Sequence, residues 1–294
     1  MKEENRFLGD VWENAMAASL AESGICAENI MKPEPHRIIK ITHETKAEFT
    51  FRVEFNYPSK FGQFCMLSIP KVGEAPISIS GKGDGFAEFT IRKVGRLTDG
   101  VFALREGNVI YLRGPFGHPW PVEEEFKGPD KKLLIISGGT GIAPVRTTLN
   151  YFYENPDEIE SLYFIAGFKD AGGALYNEER AKWAKGEKFH TIYTLDTGAA
   201  DGFEGGMVTA HIEKVPFEEW GDNYNVAIVG PPPMMHFSAL GCMQRGVRAE
   251  KIWVSFERKM QCAVGKCGHC KVNETYVCLE GPVFNYTKAR TLFD

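Results

Sequence analysis

In "KKLLIISGGTGIAP" (residues 131–144) an unbroken apolar run stops abruptly at glycines. A strand wetted on one face alternates apolar and polar residues. A run that is apolar at every position is buried on both faces, as in a parallel sheet covered by helices. Gly138, Gly139 and Gly141 let a backbone approach a pyrophosphate, and Pro144 suits the first turn of a helix whose N-terminus faces it. The spacing is G-x-G-x-x-P, not the full G-x-G-x-x-G, so alone it is also compatible with a bare strand-to-helix turn.

The same texture continues downstream. "SLYFIAG" (161–167), "FHTIYTLD" (189–196), "YNVAIVGPP" (224–232) and "KIWVSF" (251–256) alternate with helical stretches such as "APVRTTLNYFYEN" (143–155) and "PMMHFSALGCMQRG" (233–246). Strand–helix alternation of this kind predicts a doubly wound α/β domain. "VGPPPMM" (229–235) ends the fourth of these strands, and its prolines make a rigid shelf beside the crevice where ligands of open α/β sheets bind.

Upstream the pattern is different. "RIIKITHET" (37–45), "FTFRVEF" (49–55), "GQFCMLSIP" (62–70), "PISISG" (76–81), "AEFTIRKV" (87–94) and "NVIYLRG" (108–114) are short β runs broken by turns, spaced as in a small all-β barrel. One helix is expected near "LTDGVFALREG" (97–107). Ser78 is placed to offer a hydroxyl to a ring nitrogen. Arg92 and Arg96, with the amides of residues 95–98 opening the helix, are candidates to hold a phosphate. Composition alone reads these segments as strands and a turn, and "GPFGHPWP" (114–121) as an exposed loop.

The chain has 294 residues, enough for two domains, and a net charge of -5, which does not suggest a nucleic-acid surface. No apolar run approaches the roughly 18 residues of a membrane span. The charged opening "MKEENRFLGDVWENAM" lacks the apolar core of a secretory signal, so the expected compartment is the cytoplasm. "GDVWENAMAASLAESG" (9–24) reads as an amphipathic helix capped by Asp10, with Trp12, Met16 and Leu20 on one face and Gly24 at its end. It packs on its own domain or docks a partner subunit. "MKPEPH" (31–36) is a linker.

Seven cysteines in the cytoplasm are metal ligands or buried thiols sooner than disulfides. Cys26, Cys65 and Cys242 sit in apolar or helical contexts and read as buried thiols. Cys262, Cys267, Cys270 and Cys278 form C-x4-C-x2-C-x7-C, whose first spacings match the plant-type [2Fe–2S] run. Gly265 and Gly268 permit the φ > 0 turns that aim backbone amides at the sulfurs. The alternative is a four-cysteine structural zinc site, usually built from two separated knuckles; one tight loop favours the cluster. His269 reads as a solvent-facing spacer.

In this order the motifs resemble the ferredoxin–NADP reductase superfamily: a P-I-S strand in a barrel, then G-G-T-G-x-A-P, then V-G-P-P. The tail "ERKMQCAVGKCGHC" with "YVCLEGPVFNY" narrows the resemblance. From about His36 to Asp294 the chain is similar to the B subunits of anaerobic sulfite reductases, which "VGEAPISIS" and "KIWVSFERKM" favour. The gamma subunits of cytoplasmic sulfhydrogenases follow closely, and the electron-transfer subunits of dihydroorotate dehydrogenase are more distant.

The resemblance implies an antiparallel flavin-binding β-barrel, a doubly wound parallel-sheet nicotinamide-binding domain and a C-terminal iron–sulfur loop. The segments would be a 1–33 extension, a 34–125 barrel, a 126–256 α/β domain and a 257–294 cluster segment. Pro76, Ile77 and Ser78 would line the flavin ring, with Ser78 near its reactive nitrogen. Ile91, Arg92, Val94, Gly95, Arg96, Leu97 and Thr98 would hold the ribityl and pyrophosphate of FAD. Ala75 stands where many members carry arginine, which shifts phosphate binding onto Arg92 and Arg96. Gly138, Gly139, Thr140, Gly141, Ile142, Ala143 and Pro144, with Gly230, Pro231, Pro232 and Met234, would form the nicotinamide dinucleotide site. The four cysteines would hold [2Fe–2S].

That set makes chemical sense. A nicotinamide gives up two electrons as hydride and a cluster takes one, so a flavin belongs between them. No general base or nucleophilic triad is expected. Implied partners are NADH, an iron–sulfur electron-transfer subunit and a terminal reductase subunit. NADH is expected over NADPH because the strand "FHTIYTLD" ends in Asp196. A carboxylate there accepts from a free ribose 2′-OH and repels a 2′-phosphate, although Asp196 is also suited to cap a turn and Lys169 and Lys214 lie on neighbouring segments.

Overall fold

The computed structural model describes residues 30–292. The helix expected at residues 9–24 and Cys26 lie outside that span. Six strands close an antiparallel barrel: β1 (Glu34–His43), β2 (Glu48–Glu54), β3 (Phe64–Ile69), β4 (Gly73–Gly83), β5 (Phe86–Arg92) and β6 (Val109–Phe116), in the order β1-β2-β5-β4-β3-β6. Their inward residues, among them Ile38, Phe51, Val53, Leu67, Ile79, Phe89 and Leu112, fill one core. A short helix, α1 (Arg96–Phe102), follows β5 as expected.

The second sheet contains β7 (Lys132–Gly138), β8 (Ser161–Phe168), β9 (Phe189–Leu195), a two-residue β10 (Glu204–Gly205), β11 (Tyr224–Val229), β12 (Ile252–Ser255) and, far downstream, β15 (Val283–Asn285). The order is β10-β9-β8-β7-β11-β12-β15, parallel except for β15. The apolar run of β7 explains itself here. Leu133 and Ile135 face a core with Val145, Leu149 and Phe152 of α2 (Ala143–Glu154) and Trp183 of α3 (Asn177–Trp183). Leu134 and Ile136 face the opposite core, with Met235, Ala239 and Cys242 of α4 (Pro232–Gln244). Alternate side chains thus enter two apolar layers, which is why no polar position was available.

The chain winds from β7 outward to β9 and then returns to β11 on the other side of β7. The order therefore reverses between β7 and β11, and a crevice opens at their carboxyl ends.

After β12 the chain makes the cysteine-bearing excursion. It contains the hairpin β13 (Lys271–Val272) and β14 (Thr275–Tyr276) and the turn α5 (Val277–Glu280) before β15 re-enters the sheet against β12. The loop is packed, not pendant: Met260, Val264, Val272 and Val277 share a core with Phe64, Met66 and Phe116 of the barrel. The run at 114–121 departs from the exposed loop its composition suggests. Trp120 is buried, packs against Gly62 and donates its indole N–H to the Pro144 carbonyl at 3.1 Å, locking barrel to glycine loop. Among the described residues no helix is long and apolar enough to cross a membrane.

Candidate functional site

The glycine loop and the proline shelf are built against each other. A Cβ at Gly141 would come within 2.7 Å of the Val229 carbonyl oxygen and 2.9 Å of the Gly230 Cα, so only glycine lets the two turns touch. Gly230 has φ +154°, and a Cβ there would meet the Gly138 amide nitrogen at 3.1 Å. Met234 covers Gly138, its sulfur 2.5 Å from where a Cβ would stand. Pro231 and Pro232 are exposed at the rim, beside the half-exposed Gly138, Gly139 and Thr140, while Gly141, Ile142, Ala143 and Pro144 are buried as the helix begins.

Facing them is β4. Glu74, Ala75, Pro76, Ile77 and Ser78 are all half-buried, whereas the neighbouring strands β3 and β5 are almost wholly buried. Pro76 and Ser78 line a cavity of about 390 Å³ together with Phe64, Pro144, Val229 and residues 255–260. The cavity therefore joins the P-I-S strand, the glycine loop, the end of β11 and the stem of the cysteine loop. Glu257 stands on its wall, and desolvation raises its carboxyl pKa.

The second barrel motif lies beside the start of β4. α1 packs beside Gly73 through Leu97. Ile91 is buried, whereas Arg92, Gly95 and Arg96 are exposed and Val94 is 75% exposed, unusual for a valine. The Thr98 hydroxyl oxygen accepts from the amides of Val94 and Gly95 at 2.9 and 3.0 Å, so one of the amides expected to face a phosphate, that of Gly95, is already taken. Arg92 lies 3.2 Å from Glu48, and Arg96 donates to the Lys71 carbonyl at 3.3 Å; both keep most of their donors toward solvent.

The four cysteines of the C-terminal loop converge. Cys262, Cys270 and Cys278 are buried and Cys267 is exposed. The amide of Gly265 donates to the Cys278 sulfur at 3.1 Å, and those of Lys266 and Cys267 donate to the Cys262 sulfur at 3.2 and 3.4 Å. Burial alone would push the Cys262 thiol up, but amide hydrogen bonds to its sulfur bring it below its ordinary value. The sulfurs lie as two pairs, Cys262 with Cys267 and Cys270 with Cys278. Cys270 is brought down to about 6, chiefly by the thiol of Cys278, which the same bond pushes up. Among the described residues no three His, Cys, Asp or Glu side chains close around one ion-sized position. Cys65 and Cys242 are different: burial pushes both thiols up, Cys242 to about 12, as expected of inert core cysteines.

Asp196 is exposed immediately after β9, its amide bonded to the Phe168 carbonyl at 2.9 Å. Lys214 is committed to Glu204 by an ion pair. The Lys169 carbonyl accepts from both the amide and the hydroxyl of Thr197 at 3.0 Å.

Three important residues escaped the sequence reading. Arg113, Arg146 and Trp120 act across elements, and nothing local marks them: Arg113 meets its loop partner 149 positions away.

Comparison with known proteins agrees with this arrangement. The model of the oxidoreductase NAD-binding domain family matches residues 135–239, and that of the iron–sulfur cluster binding domain of dihydroorotate dehydrogenase B matches residues 257–289. The chain is 34% identical over 267 residues to the sulfhydrogenase 1 subunit gamma of Pyrococcus furiosus, covering 85% of this chain and 89% of that one. It is 31% identical over 255 residues to a probable dihydroorotate dehydrogenase B electron transfer subunit of Methanocaldococcus jannaschii, covering 86% and 90%. Among solved structures, an NADH-dependent reduced ferredoxin–NADP oxidoreductase superposes with a TM-score of 0.69 at 23% identity, covering 88% of this chain and 92% of that one. None of these singles out a sulfite reductase subunit. The chain belongs to the family of sulfhydrogenase gamma and dihydroorotate dehydrogenase B electron transfer subunits, oxidoreductase subunits of the ferredoxin–NADP reductase superfamily.

Proposed function

We propose that this chain takes electrons from NADH and passes them through FAD and a [2Fe–2S] cluster to a partner subunit. The observation that carries this reading is the shared cavity. Pro76 and Ser78, Pro144 and Val229, and the stem of the cysteine loop all border one space of about 390 Å³.

The residues present fit the groups proposed. Leu97 and Arg96 pack at the start of β4 beside Gly73 and Lys71, and Ser78 lies five residues further along the same strand, which supports one extended flavin nucleotide lying along it. Arg92, Arg96 and the amides of Leu97 and Thr98 would hold the phosphates; Pro76 and Ile77 would bear on the ring, and Ser78 would donate to its reactive nitrogen. The half-exposed backbone of Gly138, Gly139 and Thr140 just before the helix supports a pyrophosphate there. Asp196 lies two strands from β7, roughly 10 Å along the sheet edge, in position to meet an adenosine ribose. One tight C-x4-C-x2-C loop supports two bridged irons over a structural zinc site, which is usually built from two separated knuckles. When bound, the flavin supplies conversion between two-electron and one-electron transfer, and the chain supplies position and redox tuning.

For the terminal step, "VGEAPISIS" and "KIWVSFERKM" support a partner that reduces sulfite to sulfide in a cytoplasmic complex. The relationship to sulfhydrogenase gamma subunits supports a hydrogenase partner instead. Purification of the native complex, identification of its subunits and assay with sulfite and with hydrogen decide between them. The visible spectrum and metal content of the chain test the rest: flavin bands with two irons per chain are expected, and a colourless zinc protein would point to a non-catalytic assembly module.

A further inference from the structure

Arg113 lies within β6, with a side chain that is 3% exposed. All five of its N–H donors are used. Nε and Nη2 hold the two carboxylate oxygens of Glu74 at 2.8 and 2.6 Å. Nη2 also donates to the Gln261 carbonyl at 2.6 Å, and Nη1 to the Cys262 carbonyl at 2.5 Å and the Met31 sulfur at 3.8 Å. Glu74 belongs to β4, just before Pro76, and Cys262 is the first cysteine of the loop. One guanidinium therefore bolts the P-I-S strand to the start of the cysteine loop. Lysine has no planar fork with which to repeat this, and a hydrophobe would leave a carboxylate and two carbonyls without donors.

Resting on the function proposed above, we infer that Arg113 is a positioning residue for transfer between flavin and cluster. It fixes how far the loop stands from the ring-bearing strand. Electron tunnelling falls steeply with separation, so a small slip of the loop slows transfer while leaving hydride delivery to the flavin intact. The guanidinium is also a fixed positive charge beside a cluster ligand, balanced by Glu74, and nearby charge and hydrogen bonding set cluster potentials.

The test uses the full chain with Arg113→Lys and Glu74→Gln; Arg113→Met is a harsher third variant. Iron content of the wild type is measured first, and an iron-free wild type sinks the proposed function itself, not the role of Arg113 alone. In metal-free Arg113→Lys, amide exchange across residues 261–267 should rise roughly tenfold or more, as for loss of a charge-assisted hydrogen bond. In the loaded variant, flavin content and flavin reduction by NADH should stay within about twofold, while cluster reduction slows about tenfold or more, as small misplacements do. Glu74→Gln, which leaves the guanidinium charge unbalanced, should raise the cluster potential. Unchanged cluster reduction in Arg113→Lys overturns the inference, and it does so even if exchange increases, because Arg113 would then be only a brace.

Discussion

Arg146 donates to Glu88 at 2.6 Å across the joint between the barrel and the parallel sheet. Arg146 stands on α2, two residues after Pro144 of the glycine loop, and Glu88 on β5. The same guanidinium reaches Glu179 at 2.7 Å and covers the Tyr176 ring at 4.6 Å, while the Tyr176 hydroxyl bonds Thr90 at 2.5 Å. Glu88 has a second cation in Arg52 at 2.7 Å. The helix that opens at the nucleotide crevice is thereby tied to the barrel wall.

Removing one member of so buried a pair should be costly. Arg146→Met is expected to lower unfolding free energy by about 3–5 kcal/mol in urea titration at pH 7. The pair also predicts acid sensitivity. Burial pushes the Glu88 carboxyl up, but Arg146 and Arg52 outweigh it and hold the pKa below its ordinary value. The stability from that depression is present above the unfolded pKa of about 4.3 and is lost as pH falls through the folded one. Glu88→Gln should flatten that part of the acid limb, and an acid limb identical to wild type would show that the pair contributes nothing there.

Ser78 and Arg92 should fail in different ways. Ser78→Ala is expected to keep FAD and slow its reduction by NADH, because only a hydrogen bond near the ring is lost. Arg92→Ala is expected to lower flavin occupancy instead, since a charge-assisted phosphate contact goes. The structure limits the second effect: Arg92 already shares its charge with Glu48, so a few-fold loss is expected, not abolition. Stopped-flow absorbance and flavin content after gel filtration read the two separately, and normal values for both variants would remove the barrel from the site.

Cys267 is the exposed member of the four. Cys267→Ser should abolish or destabilise the cluster while the flavin stays bound, since the barrel core is built without the loop. Reduced wild-type protein should give a rhombic spin-half resonance worth one cluster per chain. Zinc in place of iron after anaerobic purification would contradict this expectation.

Steady-state reduction of an artificial acceptor should favour NADH over NADPH. Lys214 is occupied by Glu204, which removes one of the two cations able to welcome a 2′-phosphate near Asp196. Asp196→Ser should narrow the preference, because it withdraws the acceptor for the 2′-OH and the repulsion of phosphate together. Equal use of both cofactors by the wild type would count decisively against the assignment.

The sequence announced the strands of both sheets because burial on one face or two writes itself into local periodicity. Leu133 to Ile136 spell a doubly covered strand without help from any other segment. The glycine and cysteine motifs were legible for a related reason: close backbone approach and inward-turned amides demand particular residues at fixed spacing. Contacts between distant segments left no such trace. Arg113 sits in "NVIYLRG" as one more polar end to a strand, and Arg146 as a charge on a helix. Trp120 looked like part of an open turn because its host, Gly62, lies in another element. Even within a recognised motif, the capture of two amides by Thr98 was invisible, since a threonine in the first turn of a helix reads equally as a cap or a ligand.

β12 and β15 pair Ser255 with Val283, so residues 256–282 leave the sheet and return to it at adjacent points. Closing those ends is the work of sheet hydrogen bonds that do not involve the cysteines, and the entropy of joining them is met when the sheet forms. The ends of the loop are thus fixed by the sheet and not by whatever the cysteines hold. A chain stripped of metal is therefore expected to keep β12 paired with β15, and reloading it should not require unfolding.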